Sequence, residues 1–404
     1  MSSDTKHALV VGNVRAPHVI LEKLGYRISW LCKRSLNYMH SMADNNRCQN
    51  IFNYSGDNQE QIIELAQLIN KYDKVDVVVA FHDAAQLDAI AIAECLGLPF
   101  NYQPNTLHYT RNKDTMREVL KAHQLTELKQ SMVADVEQLE TFYQTYPEID
   151  KIILKPVEGT GSEGVSIFAR AQLAEQSTSP LEFPLLAEEY FSGQEFSVEG
   201  FSQKGKHYII GITEKFKGEG TFVESGHLFP ARLTDEDVKL VQEYVVNCLI
   251  ALEVTEGITH SEVLLNEGRL EMIETHTRVG GDNISELVKL TTGVDLYYLQ
   301  THNALGEIIA EDKILPKPTG KHACIKFQFN IDVQGKIKAI EGIDEVKSWD
   351  NVIEADANYA VGAILPLTTQ SLDRSAYAMV EAQDAHSALA LADKAISTIK
   401  YTLE

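Results

Sequence analysis

Short apolar runs alternate with longer amphipathic segments over the first hundred residues. Each run has the length of a buried strand, and the segments between the runs repeat their apolar residues at the helical spacing. We expect strands at residues 7–12, 26–32, 75–81 and 98–100, and helices at about residues 17–24, 59–72 and 84–96. Such alternation is typical of a parallel sheet covered by helices. It predicts an α/β domain at residues 1–104.

A lone glycine, Gly12, follows the first strand where a dinucleotide-binding domain would have GxGxxG, so that kind of site has little support. His82 and Asp83 follow the strand at residues 75–81. The carboxyl ends of strands in an open α/β sheet are where ligands bind. The same two residues are equally suited to cap the next helix.

From about residue 103 the pattern changes to mixed helices and antiparallel strands, which predicts a central domain at residues 105–312. A breaker-rich run at residues 316–320 then opens a C-terminal part that we expect to be a small α+β lid domain at residues 313–404. It begins as strand, turn and strand, with the turn at Gln334 and Gly335. An amphipathic helix over residues 385–403 should close the chain.

The stretch HSEVLLNEGRLEMIETHTRVGGD, from His260 to Asp282, has the pattern of a β-hairpin with its turn near Gly268. A three-residue loop would place Glu262 and Glu274 on one face, because strand side chains alternate with a period of two. Paired carboxylates repel, so a metal ion or a proton usually accompanies them. A loop one residue longer would undo the pairing, and a solvated polar face is the alternative. The same face would also carry His260, His276 and Arg278.

Composition narrows the classes of partner. The 404 residues include 36 Lys and Arg against 58 Asp and Glu, and the net charge of −22 argues against nucleic acid as a partner. The five cysteines are widely spaced without CxxC, which suits a reducing compartment and predicts neither a zinc site nor a disulfide framework. The first apolar run is too short for a signal peptide or a membrane span. We therefore expect a cytoplasmic protein with no membrane partner.

Two elements suited to phosphate groups occur in order in the central domain. Lys113 opens an amphipathic helix, and Lys155 ends an apolar strand that leads into the loop VEGTGSEGV. The backbone N–H groups of a glycine-rich loop and a nearby lysine can hold phosphate oxygens. No GK[ST] closes the loop, so it is not a Walker A motif, and such loops also serve as plain hairpin turns. The candidate loop residues are Glu158, Gly159, Gly161 and Gly164.

The segment LLAEEYFSGQEF could complete a nucleotide site, because it runs from an apolar strand into Glu188, Glu189 and Tyr190 and then to Glu195. The free backbone groups of a strand end can bind an adenine edge, and a nearby carboxylate can accept both ribose hydroxyls. Glu195 is the ribose candidate. Alternatively, it is an edge-strand charge that discourages aggregation.

Taken in order, these elements resemble the ATP-grasp enzymes over about residues 105–300. Within that superfamily the chain is most similar to the L-amino acid ligases, carboxylate–amine ligases that join amino acids into dipeptides. The closer resemblance rests on Arg278 with GGD just after it, on the run GHLFPA around His227, and on the long C-terminal extension.

The resemblance implies an ATP-grasp fold that combines α/β and α+β parts: an N-terminal parallel α/β domain, two subdomains that enclose ATP, and a C-terminal lid. It implies Mg²⁺, or Mn²⁺ in its place, on the nucleotide phosphates. By matching position, the phosphates would meet Lys113 and Lys155, adenine would meet Glu188, Glu189 and Tyr190, ribose would meet Glu195, and magnesium would meet Glu262 and Glu274. One departure is His276, where the superfamily pattern has Asn. Imidazole is a poorer partner for magnesium than an amide oxygen, so we expect no third ligand there.

The implied reaction joins an acid to an amine. The carboxylate of one substrate attacks the γ-phosphate to give an acyl phosphate, and the amine of the other then displaces phosphate. Arg278 suits the acyl phosphate and the later oxyanion. His260, His276 or Asp282 could accept the amine proton, although structural hydrogen bonds are an equally ordinary role for them. The substrate pocket would be lined by Glu224, His227, Arg278, Gly280, Gly281 and Asp282.

Amino acids are the small-molecule partners that the resemblance implies. Relatives of this kind often act in peptide antibiotic pathways, and dimers are common in the superfamily. Two other hypotheses stay open: an ATP-grasp ligase of another substrate class, such as a purine-pathway or carboxylating ligase, and a nucleotide-binding regulator without turnover.

Overall fold

The computed structural model describes residues 5–33, 47–54, 58–156, 164–174 and 181–404. Within these ranges, no helix is both long enough and apolar enough to cross a membrane. The strands fall into four sheets, of four, eight, three and four strands. This mixture of a parallel sheet at the N-terminus and a large antiparallel sheet confirms the predicted fold class.

The N-terminal sheet is parallel and has the strand order β3-β2-β1-β4. Its members are His7–Val11 (β1), Arg27–Cys32 (β2), Cys48–Asn53 (β3) and Val77–Ala80 (β4), and its helices are Ala16–Lys23 (α1), Gln59–Tyr72 (α2) and Asp83–Leu96 (α3). Apolar clusters bury both faces of β1, β2 and β4, which are largely apolar runs, whereas the edge strand β3 carries polar residues and is partly exposed. The expected strand at residues 98–100 is wrong. Pro99 there lacks the N–H that a sheet needs, and the chain passes on to the helices Pro104–Arg111 (α4) and Lys113–Ala122 (α5).

A small antiparallel sheet with the order β5-β8-β6-β7 follows. Its strands are Gln130–Val133 (β5), Lys151–Lys155 (β6), Ser166–Ala169 (β7) and Leu185–Glu189 (β8), and the helices beside it are Val136–Thr145 (α6) and Arg170–Ala174 (α7). Leu139, Phe142 and Tyr143 of α6 bury their side chains against this sheet. This packing holds the sheet in place, and Lys155 and Glu188 lie at the ends of its strands β6 and β8.

The large antiparallel sheet has the order β13-β12-β9-β10-β11-β14-β18-β16. Its strands are Gln194–Gln203 (β9), Lys206–Lys217 (β10), Glu224–Phe229 (β11), Gly257–Asn266 (β12), Arg269–His276 (β13), His322–Gln328 (β14), Val352–Ala357 (β16) and Ala376–Ala382 (β18). The helices between them are Asp235–Ala251 (α8), Ile284–Thr292 (α9), Leu296–Ala304 (α10) and Glu311–Ile314 (α11). One apolar cluster joins α8 to the sheet, and another joins α9 and α10 to it.

The C-terminal part does not fold as a separate layer, because β14, β18 and β16 extend the large sheet. The remaining strands Gly335–Glu341 (β15), Ile364–Leu365 (β17) and Lys400–Leu403 (β19) form the order β17-β15-β19, and the helices are Ile343–Lys347 (α12) and Ala385–Thr398 (α13). The two strands predicted on either side of Gln334 are present as β14 and β15, but they lie in different sheets, and Gly335 opens β15 instead of forming a turn. The helix expected over residues 385–403 ends at Thr398, and the residues after it pair with β15.

The hairpin of β12 and β13 places Glu262 opposite Glu274, as predicted. The route differs from the expected three-residue loop. Glu267 and Gly268 form a two-residue turn with φ of 47° and 81°, and a register shift between Glu262 and Val263 supplies the extra residue. Positive φ at both positions is typical of a tight type I′ turn, and the added residue is typical of a β-bulge.

Candidate active site

A cleft with an empty volume of about 1070 Å³ lies between the small sheet and the large one. It brings together eight of the residues singled out in the sequence: Lys113, Lys155, Glu188, Glu189, Tyr190, Glu195, Glu262 and Glu274. Of the loop candidates, Glu158, Gly159 and Gly161 fall outside the described residues. Gly164 is described, has a φ of +70°, and lies beside Pro156, so the two described ends of the loop are close together.

A buried ion triad closes one wall of the cleft. The Lys155 Nζ lies 2.6 Å from Glu188 Oε2, and Arg117 Nε donates to the other carboxylate oxygen. Burial opposes ionisation of Glu188, but the charges of Arg117 and Lys155 prevail and lower its pKa to about 2. The carboxylate of Glu188 is therefore committed to two cations of the protein and holds the Lys155 side chain in place.

Lys215 is a central cation of the site that the sequence did not predict. Its buried ammonium lies 2.7 Å from Glu195 Oε1, 3.2 Å from Glu224 Oε1 and 2.6 Å from Glu262 Oε1. Burial would lower the pKa of Lys215, but the three carboxylates raise it well above its usual value. Lys217, two residues along β10, lies 2.6 Å from Glu195 Oε2. The sequence did offer a signal, because Lys215 and Lys217 are two residues apart and so share one face of a strand. In the same way, Arg117 lies one helical turn after Lys113, on the same face of the helix.

Glu262 and Glu274 are neutralised by the protein itself. Lys215 pairs with Glu262, and the Lys113 Nζ lies 2.9 Å from Glu274 Oε2. The facing carboxylates thus have cationic side chains of the protein beside them as well. Their hard oxygen donors both face the cleft beside lysines, and this donor set fits magnesium.

Each of these two glutamates has a histidine beside it. The Nε2 atoms of His260 and His276 lie 3.2 Å from Glu262 Oε1 and 3.1 Å from Glu274 Oε1. The Nδ1 of His260 is 2.9 Å from Glu199 Oε1. Burial opposes protonation of His260, but Glu199 and Glu262 raise its pKa to about 9, so its ring donates to both carboxylates at neutral pH.

Asp83 of the N-terminal domain reaches the same site. Its Oδ2 lies 2.7 Å from His276 Nδ1 and 3.5 Å from Arg278 Nε. His82 caps α3 by accepting from the backbone N–H of Ala84. Asp83 Oδ1 accepts from the same N–H at 2.9 Å, so both residues contribute to the cap, and Asp83 also reaches the candidate site.

The loop after β13 carries the remaining candidates. Gly280 packs against His260, and a Cβ added to Gly280 would lie 2.7 Å from His260 Nδ1, whereas Gly281 has open space around it. Asp282 Oδ2 accepts from His227 Nε2 at 3.0 Å and pairs with Arg374, a residue that the sequence analysis missed. Glu224 joins the same region, because Ser371 Oγ donates to its Oε2 at 3.1 Å.

Comparisons with known proteins identify two domains in the chain. Residues 149–286 match the ATP-grasp domain, and residues 329–404 match the L-amino acid ligase C-terminal domain 2. The crystal structure of an L-amino acid ligase from Bacillus licheniformis superposes with a TM-score of 0.81 over 100% of both chains at 20% identity, which shows a shared fold.

Named ligases and synthases are among the curated relatives. The alanine–anticapsin ligase of Bacillus subtilis is 24% identical over 65% of this chain and 61% of its own length. The dapdiamide A synthase of Enterobacter agglomerans is 25% identical over 48% of this chain and 49% of its own. The chain thus spans about half to three fifths of the length of these relatives.

The two domain matches and the shared fold confirm the resemblance predicted from the sequence. This chain carries an ATP-grasp domain followed by an L-amino acid ligase C-terminal domain.

Proposed function

We propose that this protein is an ADP-forming carboxylate–amine ligase that joins two amino acids, or an amino-acid-like acid and an amino acid, through an acyl phosphate. One observation carries the proposal. A single cleft collects two phosphate-type lysines and two facing carboxylates, and Arg278 stands at the end of the strand that bears Glu274. The named activities of the two relatives give it independent support.

ATP would lie in the cleft between the two sheets, with Lys113 and Lys155 against its phosphates and Glu195 near its ribose. Because the Glu188 side chain is committed to Arg117 and Lys155, adenine would meet the strand end at Glu189 and Tyr190 through backbone groups. Glu262 and Glu274 would hold Mg²⁺, with Mn²⁺ as a substitute. When bound, the metal withdraws negative charge from the transferred phosphoryl group.

The protein's own groups would act on the two amino acids. A carboxylate oxygen of the first attacks the γ-phosphorus as the bond to ADP breaks, and Arg278 offers fixed guanidinium N–H donors to the acyl phosphate. The nitrogen of the second amino acid then forms the C–N bond as the C–O bond to phosphate breaks, and the amine proton is balanced on the departing phosphate. Both ring nitrogens of His260 face carboxylates, Nδ1 that of Glu199 and Nε2 that of Glu262, which favours an orienting role for that ring.

Phosphate release tests the proposal. Purified protein is incubated with magnesium and ATP across pairwise mixtures of L-amino acids and small carboxylic acids, and products are identified by mass spectrometry. We expect release only when both an acid and an amine are present, and its loss in Arg278→Ala. Release that needs bicarbonate or a phosphoribosyl amine would instead support another class of ATP-grasp ligase. ATP binding without phosphate release for any pair of substrates would support the hypothesis of a nucleotide-binding regulator without turnover.

A further inference from the structure

A short segment of the C-terminal domain reaches the loop that we assign to the amino-acid substrate. Ser371–Asp373 forms one turn of 3₁₀ helix, and Arg374 follows it. The Asp373 Oδ2 accepts from the backbone N–H groups of Thr369 and Gln370, both at 3.1 Å. Arg374 Nε donates to the carbonyl of Ser371 at 2.7 Å. The guanidinium is therefore held in one orientation within the protein, and only 6% of the Arg374 side chain is exposed.

Arg374 grips Asp282 with two parallel hydrogen bonds. The Nη1 atom lies 2.8 Å from Oδ2, and Nη2 lies 2.5 Å from Oδ1. The Phe327 ring covers the guanidinium, whose carbon lies 3.7 Å from the ring centre. Bidentate, stacked guanidinium contacts fix geometry in a way that a lysine cannot reproduce. Asp282 is thus positioned from the C-terminal domain and from His227 together.

The loop at residues 280–283 needs such support. Asp282 and Asn283 both have positive φ, of 54° and 58°. Consecutive left-handed conformations are unfavourable for residues that carry a Cβ, and they persist where surrounding contacts impose them. At the other end of the loop, Gly280 is pressed against His260. Arg278 lies just ahead of this loop, so whatever holds the loop also limits where that arginine can be.

We infer that Arg374 is a positioning residue for the amino-acid substrate. Its guanidinium holds the loop at residues 280–283 by donating to Asp282 and to the backbone carbonyl of Glu224. Asp282 also accepts from His227, so Arg374 fixes the wall of the proposed amino-acid pocket that Glu224, His227 and Asp282 form. Its Asp282 pair lies outside the lining of the nucleotide cleft. The contacts of Arg374 therefore influence the affinity for the amino acid, and their loss should leave the affinity for ATP unchanged. The assignment of the wall to the amino acid rests on the proposed function.

Steady-state phosphate release separates the two affinities. In Arg374→Ala we expect KM for the amino acid to rise at least about tenfold, since one charge of a hydrogen-bonded pair loses its partner, while KM for ATP changes less than about twofold. Arg374→Lys should show the same split to a smaller degree. The control is Lys321→Ala, which removes a more exposed ion pair with Glu381 of β18, the strand that follows Arg374. Equal changes in both KM values, or no change in either, would overturn the inference.

Hydrogen exchange tests, without any need for turnover, whether Arg374 holds the loop at residues 280–283. The amides of residues 278–284 should exchange at least about tenfold faster in Arg374→Ala than in wild type, and at the wild-type rate in Lys321→Ala. If Arg374→Ala does not fold, Arg374→Lys and Asp282→Asn should show the same local change. Unchanged protection of these amides from exchange in the variants would refute the role of Arg374 in holding the loop. A wild-type protein without amino-acid-dependent turnover would refute the proposed function, and the exchange result would still decide whether Arg374 holds the loop.

Discussion

Replacing Lys215 by methionine should destabilise the protein strongly. Lys215 is almost fully buried, and its ammonium contacts Glu195, Glu224 and Glu262 within 3.2 Å. Methionine fills a similar volume but carries no charge. Carboxylate oxygens of the three glutamates, which lie within 4.8 Å of one another, would then face each other without the central cation.

The size of the effect follows from this burial. Breaking a buried ion pair by removing one partner costs about 3–5 kcal/mol. Unfolding entropy is about 2.1 cal/mol/K per residue, so a cooperative unit of roughly 200 residues loses about 7–12 °C in Tm for that cost. The control is Lys217→Met on the same strand. Lys217 is one third exposed and contacts one carboxylate, so its loss should cost no more than about 1 kcal/mol.

Differential scanning calorimetry of both variants in EDTA measures the difference. Saturating magnesium should raise the Tm of Lys215→Met more than that of wild type, because a divalent cation can replace the lost ammonium among the three carboxylates. Equal Tm values for Lys215→Met and Lys217→Met would refute the assignment of Lys215 as the buried cation of this cluster.

Three further predictions concern the cleft and the loop. Glu274→Gln removes a proposed metal ligand, so amino-acid-dependent phosphate release should fall at least about a hundredfold, and excess magnesium should restore part of it; unchanged release would contradict the ligand assignment. The pKa of Glu188 is lowered from 4.5 to about 2 on folding, so its ionised form stabilises the protein above pH 4.5 and this contribution is lost as the pH falls towards 2. The Tm gap between wild type and Glu188→Gln should therefore narrow over that range, and a constant gap would contradict the triad. Gly280→Ala should lower Tm, because its Cβ meets His260, and Gly281→Ala should not; equal Tm values would show that the loop is not pressed against that ring.

The local patterns predicted the local structure well. The two-residue period placed Glu262 opposite Glu274, and the helical period gave the bounds of α2. The details of the hairpin were beyond the sequence, because a two-residue turn with a bulge and a three-residue loop give the same pairing. The terminal strand β19 was missed for a related reason: its pairing with β15 depends on a partner some sixty residues earlier in the chain.

The polar partners of the site were harder to predict because they come from distant elements. Asp83 belongs to the N-terminal domain, and Arg374 lies 92 residues after Asp282. Neither the spacing nor the composition of the chain indicates that these groups meet. Lys215 was overlooked for another reason, since a lysine in a strand usually faces solvent, whereas here three carboxylates keep the buried ammonium charged.

Transfer of ¹⁸O tests most directly whether the reaction passes through an acyl phosphate. The acid substrate is prepared with both carboxylate oxygens labelled, and the phosphate and the amide are analysed by mass spectrometry after turnover with magnesium and ATP. The proposed mechanism predicts that one labelled oxygen leaves in phosphate and the other stays in the amide carbonyl. Unlabelled phosphate, with the departing labelled oxygen found in AMP or in water, would contradict phosphoryl transfer to the carboxylate.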